Sequence, residues 1–214
     1  DHRDLHLSIR RQRQMCIRDR VLYSQTSPQW ATRIWWLLRI AGFDNARVLN
    51  GGLTKWKLDQ RTVTDQQTIY PSAQLTTEPR TGLMASKDDV IKAIDEPATC
   101  TINALRRTQH TGQDDGEFGN YGRPGHISGS VNVPTVELVD GTTSEFLDSQ
   151  EISKKFDEIG TDKANRIITY CGGGIAASAT AMVLVMLGFD NVSLYDASLS
   201  EWAPDQNLPM DTLN

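Results

Sequence analysis

Cys171 stands at the end of an apolar run in "RIITYCGGGIAAS", residues 166–178, and three glycines follow it. A cysteine attacks as the thiolate, and a free thiol with pKa near 8.5 is mostly protonated at neutral pH. Two features of this stretch favour the anion. The apolar run reads as a strand and residues 176–187 as a helix, so Cys171 falls near the positive end of a helix dipole. Gly172, Gly173 and Gly174 carry no side chains over their backbone N–H groups, so the loop can curl and aim several donors at one anionic atom. The plainer alternative is an inert buried cysteine at a tight strand-to-helix turn, which is common.

Two rival chemistries fit the stretch less well. A dinucleotide-binding turn needs G-x-G-x-x-G, and "GGGIAA" offers Gly172 and Gly174 but Ala177 at the third place. A phosphate-transferring cysteine loop closes on an arginine six residues on, to hold the dianion. Here that position is again Ala177.

The elements that must hold this loop follow from periodicity. The chain has 214 residues, 38% hydrophobic and 23% charged, with a net charge of −5. That suits one large or two small globular domains and argues against a nucleic-acid partner held by general electrostatics. The longest apolar stretch, residues 176–187, is too short for a membrane span and suits a buried helix stopped by Gly188. The three cysteines, Cys16, Cys100 and Cys171, form no C-x-x-C pair, so neither a metal site nor a disulfide framework is indicated, and a cytoplasmic setting fits. Ser86 and Asp89 make a capping-box pattern before Val90 and Ile91. "TCTIN" (99–103) reads as a buried strand. Ile152, Phe156 and Ile159 share a helical face ended by Gly160. Strands alternating with helices imply an α/β fold with a parallel sheet.

Two segments match at a fixed offset. Residues 25–56 and 171–202 align without a gap, 171 − 25 = 146 apart. Gly-Phe-Asp-Asn recurs at 42–45 and 188–191, Ala31, Leu38 and Leu53 match Ala177, Leu184 and Leu199, and Trp56 and Trp202 close the copies. A shared block in constant register indicates duplication of a whole unit. Residues 84–214 read as a complete α/β domain, 61–83 as a polar linker and 21–60 as the last part of an earlier copy. So short a piece buries too little apolar surface to fold alone, and should pack on the second unit or be poorly ordered. The arginine-rich opening, residues 1–20, has no apolar periodicity and reads as non-native or disordered. Cys16 within it carries no role.

The stretch "YCGGGIAAS" closely resembles the active-site loop of rhodanese-type sulfurtransferases. "YGRPGHISGSVNVP" (121–134) resembles their second signature, and "WWLLRIAGFDNARVLNGGLTKW" (35–56) the end of the inactive first domain of two-domain members. The resemblance runs from about Val21 to the C-terminus. It implies a rhodanese-like α/β domain with a central parallel sheet flanked by helices, plus a partial second copy at the N-terminus. Gln25 stands where Cys171 stands, so the first copy lacks the nucleophile.

The resemblance also implies a double displacement. The Cys171 thiolate would take a sulfane sulfur from a small anionic donor, thiosulfate or 3-mercaptopyruvate, and pass it from a persulfide to a thiol or to cyanide. Gly172, Gly173, Gly174, Ile175 and Ala176 would hold the outer sulfur. No metal or organic cofactor, nucleic acid or membrane is implied. Asn103 and Leu105 stand where family members often carry Asp and Arg, and Gln109 stands where many carry a donor-binding arginine. The donor's charge then falls to Arg106, Arg107 or Arg123, with Arg123 favoured because it lies inside a signature stretch. His126 reads as structural. The alternatives are a non-catalytic binding module and a sulfur carrier serving a protein partner.

Overall fold

The computed structural model describes residues 20–213 except 68, 70–75, 115 and 118. The reading of residues 1–20, Cys16 included, therefore lies outside the described residues apart from Arg20. That residue opens the first strand, β1 (Arg20–Leu22).

Helix α1 (Gln29–Ile40), strand β2 (Ala46–Val48) and helix α2 (Gly52–Leu58) follow, with β1 and β2 paired in parallel. Beyond the polar segment come β3 (Met84–Ala85), α3 (Lys87–Ile94), β4 (Thr99–Asn103), α4 (Arg107–Thr111), β5 (His126–Ile127) and β6 (Val131–Asn132). A 3-10 turn (Thr135–Leu138) leads to α5 (Ser149–Asp157), β7 (Arg166–Tyr170), α6 (Ile175–Met186), β8 (Val192–Tyr195), α7 (Ser198–Trp202) and β9 (Met210–Asp211).

The main sheet has the order β3-β8-β7-β4-β6 and is parallel throughout. Parallel strands need crossover connections, and the helices that supply them cover the faces. This explains the apolar character of β7, whose last four residues are buried. The central position of β7, between β8 and β4, sets Cys171 at its carboxyl end. Ile102, Ile167, Ile168, Leu184 and Leu194 are fully buried around it. The capping box at α3 forms as its pattern requires: the Ser86 hydroxyl accepts from the Asp89 N–H, and the Asp89 carboxylate accepts from the Ser86 N–H. A second antiparallel pair, β5 with β9, ties the signature stretch to the C-terminal segment.

The 146-residue offset recurs in the elements. Adding it to Gln29–Ile40 gives the bounds of α6, and adding it to β1 and β2 gives positions inside β7 and β8. Helices α1 and α6 pack together. The hydroxyls of Thr32 and Ser178, corresponding positions of the two segments, meet at 3.2 Å in a buried contact. Arg33 forms an ion pair with Asp196, which follows β8. Trp36 is fully buried, and its indole N–H donates to the Leu83 carbonyl at 3.2 Å. Asn50 Oδ1 accepts from the Phe146 N–H at 2.8 Å. The first segment is thus anchored on the larger sheet unit, while Val21, Tyr23, Trp30 and Ile34 remain exposed.

Candidate active site

Cys171 is 2% exposed. Its N–H donates to Ser198 Oγ at 3.0 Å, and its carbonyl accepts from the Leu199 N–H at 3.1 Å. Gly172 is held the same way: its carbonyl accepts from both the N–H and the hydroxyl of Ser200, at 2.9 and 2.6 Å. The sequence "SLS" at the start of α7 is therefore a strap over the cysteine and the glycine after it. Ser198 sits at φ +53, in the left-handed region that disfavours side chains, and its hydroxyl donates onward to the Tyr195 carbonyl at 2.7 Å. Tertiary bonds of this kind hold a residue in a conformation that costs free energy.

The glycine loop leaves its donors open. Among the described residues, the backbone N–H groups of Gly172, Gly173, Gly174, Ile175 and Ala176 donate to no protein acceptor. The first N–H groups of a helix lack intrahelical partners by geometry, and α6 begins at Ile175. Five unsatisfied donors in succession beside a cysteine suit an anionic ligand. Gly174 caps the helix at φ +78, and a Cβ there would meet the Asp196 backbone oxygen at 2.9 Å and Arg33 Nη1 at 3.0 Å. A Cβ at Gly172 would fall on the hydroxyl of Tyr121. A Cβ at Gly174 would thus press on backbone, and one at Gly172 would displace the Tyr121 ring.

A cleft of about 250 Å³ is lined among others by Gln109, Asp114, Arg123 and by two neighbours of the loop, Tyr121 and Leu199. Burial raises the Tyr121 phenol above its ordinary range, and Cys171 and Asp114 add to the shift. The guanidinium of Arg123 donates through Nε to the Ala203 carbonyl at 2.9 Å and through Nη2 to the Asp205 carbonyl at 2.7 Å. It closes the end of α7 while lining the cleft. Arg107 pairs with Glu137 at the surface, at 2.8 and 2.9 Å. Gln109 is buried, and its Oε1 accepts from the Arg106 N–H at 3.3 Å.

His126 donates from Nδ1 to the His110 carbonyl at 2.7 Å and stacks on the His110 ring with centroids 3.8 Å apart. Asn103 Nδ2 donates to His110 Nδ1 at 3.3 Å. Burial, then the neighbouring His126 and Arg107, push His110 down to about 4. This pair packs α4 against the signature stretch, which the Tyr170 hydroxyl also fastens by accepting from the Ile127 N–H at 3.0 Å. Cys100 lies in β4, and burial pushes its thiol up to about 11, which leaves it a poor nucleophile. Among the described residues no group of three His, Cys, Asp or Glu side chains is placed to hold a metal.

Cys171 and residues 172–176 run without a break from the end of β7 into the first turn of α6, and Arg123 lines the cleft beside Tyr121 and Leu199. Tyr121, Ser198, Ser200, Asp196 and Arg33 are neighbours that the sequence reading did not single out. The register offered a signal for one of them: Ser198 corresponds to Gly52, which has φ +52, so position 198 inherits a turn that glycine makes freely.

A parallel α/β sheet with a cysteine on a bare glycine loop at the carboxyl end of its central strand defines a rhodanese-like domain. Comparison with known proteins agrees: residues 105–205 match the rhodanese-like domain. The chain is 30% identical over 202 residues to a Mycolicibacterium smegmatis protein assigned as a thiosulfate sulfurtransferase, covering 89% of this chain and 70% of that one. It is 29% identical over 193 residues to 3-mercaptopyruvate sulfurtransferase of Escherichia coli O157:H7, covering 90% and 68%. Among solved structures, an anaerobic ergothioneine biosynthesis enzyme from Chlorobium limicola superposes with a TM-score of 0.81 at 20% identity, over 91% of this chain and 51% of that one. The chain spans about two thirds of the length of these two curated relatives and about half that of the solved structure. The chain belongs to the rhodanese-like sulfurtransferase family.

Proposed function

We propose that this chain moves a sulfane sulfur through a persulfide on Cys171. The thiolate attacks the outer sulfur of thiosulfate, the S–S bond breaks, and sulfite leaves with the electron pair. A thiophilic acceptor, a thiol or cyanide, then attacks the outer sulfur and returns the Cys171 thiolate, with thiocyanate as the product in the cyanide case. With 3-mercaptopyruvate the C–S bond breaks instead, and the carbon fragment leaves as an enolate that takes up a proton. Between the two steps the outer sulfur of the Cys171 persulfide is the anionic atom, and the open N–H donors would hold it there. The observation that supports the reading is the run of five open N–H donors from Gly172 to Ala176, beside a cysteine at a strand end. Donors preorganised around a developing anion are a large source of rate enhancement. Arg123 contributes positive charge to the cleft through which the anionic donor would arrive.

The matched offset and the matched elements support duplication of an ancestral unit, with residues 21–60 as the last part of a first copy, 61–83 as a linker and 84–214 as the catalytic domain. Among the described residues no helix is long and apolar enough to cross a membrane. A nucleophilic cysteine suits a reducing compartment, and we place the protein in the cytoplasm.

Mass spectrometry after incubation with thiosulfate or 3-mercaptopyruvate tests the proposal. The expected result is a gain of one sulfur atom mapped to Cys171 and absent in Cys171→Ser. A gain at Cys100 would move the site, and no gain with either donor would refute sulfur transfer.

A further inference from the structure

Cys171 must exchange sulfur with two partners in turn, yet it is 2% exposed, while a cleft opens beside it. Between the two lies Tyr121. Its ring lines the cleft and packs against the core, together with Leu199, whose N–H is bonded to the Cys171 carbonyl. The phenol end reaches past the cleft onto the sulfur loop, where its hydroxyl occupies the place that a side chain at Gly172 would take. On its other side stands Gly119, whose missing Cβ would lie 3.1 Å from the hydroxyl and 3.3 Å from Cζ. The phenol therefore sits in a slot walled by two glycines. No hydrogen bond to another described residue fastens its hydroxyl there, and the shift of its pKa by Cys171 agrees with their proximity. A side chain at Gly172 would displace the ring, and one at Gly119 would press on it.

We propose that Tyr121 is the gate between the cleft and Cys171: seated between Gly119 and Gly172 it shuts the thiol off, and a sulfur donor reaches Sγ when the ring leaves its slot. The functional meaning rests on Cys171 being the sulfur carrier, but the gate can be read without sulfur transfer. The rate of alkylation by iodoacetamide at fixed pH is followed at Cys171 by mass spectrometry, with Cys100 in the same sample as the reference for global unfolding. Tyr121→Ala removes the ring, and should speed alkylation of Cys171 by about tenfold or more, because a minor open state is typically populated at roughly 0.1–10%. Tyr121→Phe keeps the ring and should stay within about twofold of the parent, while Cys100 stays unlabelled in both. Should Cys100 begin to react in the alanine variant, signalling unfolding, Tyr121→Leu, too short to reach the slot, decides the matter and should show the same increase. Equal rates at Cys171 in the parent and in the folded Ala or Leu variant overturn the gate, as does a Phe variant as fast as Ala. A protein that gains no sulfur from thiosulfate or from 3-mercaptopyruvate but shows the Ala increase refutes the transfer reaction and leaves the gate standing.

Discussion

Replacing Gly174 with alanine should damage both the fold and the loop, and the structure sets the size of the effect. Gly174 has φ +78, and an alanine held there pays about 1–2 kcal/mol for the left-handed conformation. Its Cβ would stand 2.9 Å from the Asp196 backbone oxygen, closer than real Cβ atoms come, so one backbone segment has to shift. It would also press on Asp196's carboxylate and on Arg33 Nη1, which form the ion pair between α1 and the β8 end. Disturbing that partly exposed pair adds up to about 1 kcal/mol, while the stiffer unfolded chain returns about 0.5 kcal/mol. These contributions sum to a net loss of about 0.5–2.5 kcal/mol, and at about 2–4 °C per kcal/mol for a chain of this size Tm should fall by roughly 1–10 °C, with any backbone shift adding to it. Gly160→Ala is the control: it has φ +70 but nothing within 4 Å of its Cβ, so it carries the conformational strain alone. Thermal unfolding followed by circular dichroism gives both values. If Gly174→Ala melts within 2 °C of Gly160→Ala, crowding by Asp196 and Arg33 is not what requires the glycine.

Two further outcomes follow from the same geometry. His110 is held at about 4 in the folded protein against 6.5 when unfolded, so the unfolded chain binds more protons between those values. Stability is then full above pH 6.5 and falls as the pH drops toward 4, with a loss between pH 7 and 5 of at most about 2 kcal/mol after solvent screening. Urea unfolding at the two pH values should show a smaller loss in His110→Gln, and an unchanged loss would clear His110 of responsibility. Ser198→Ala leaves the buried Cys171 N–H without its acceptor and should cost about 1–3 kcal/mol. Ser198→Gly loses the same hydroxyl but relieves the φ of +53, and should cost less; a denaturant midpoint of Ser198→Ala equal to the parent's would mean that the hydroxyl does not hold the loop.

How much of this was legible beforehand depends on the range of the interaction. The strand at 99–103, the capping box at Ser86 and the helix after Cys171 are written in local patterns: a short β-rich run, a side chain reaching its own backbone, a stretch of small apolar residues ended by glycine. The nucleophile and its glycines are contiguous, so one stretch of sequence displays them together. Their neighbours are not contiguous. Tyr121 meets Gly172 across 51 residues (172 − 121), and Arg33 meets Asp196 across 163. Neither contact has a periodic or compositional trace, because it exists only once the sheet order is set. Arg123 illustrates the converse. Its place inside a signature stretch suggested a ligand for an anion, while its Nε and Nη2 turn to carbonyls at the end of α7, a use of the guanidinium that a linear motif does not display.

The contact between Thr32 and Ser178 carries a broader consequence. When a position touches its own counterpart, the two sides are related by an approximate two-fold axis, as in the isologous seam of a homodimer. On the duplication proposed above, one polypeptide would supply a whole unit and the last part of its counterpart. Such a seam constrains its halves mutually: bulk added at 32 has to be relieved at 178, because each is the other's wall. Chemistry is under no such symmetry: Cys171 stands on one loop and Gln25 at the matching place on the other.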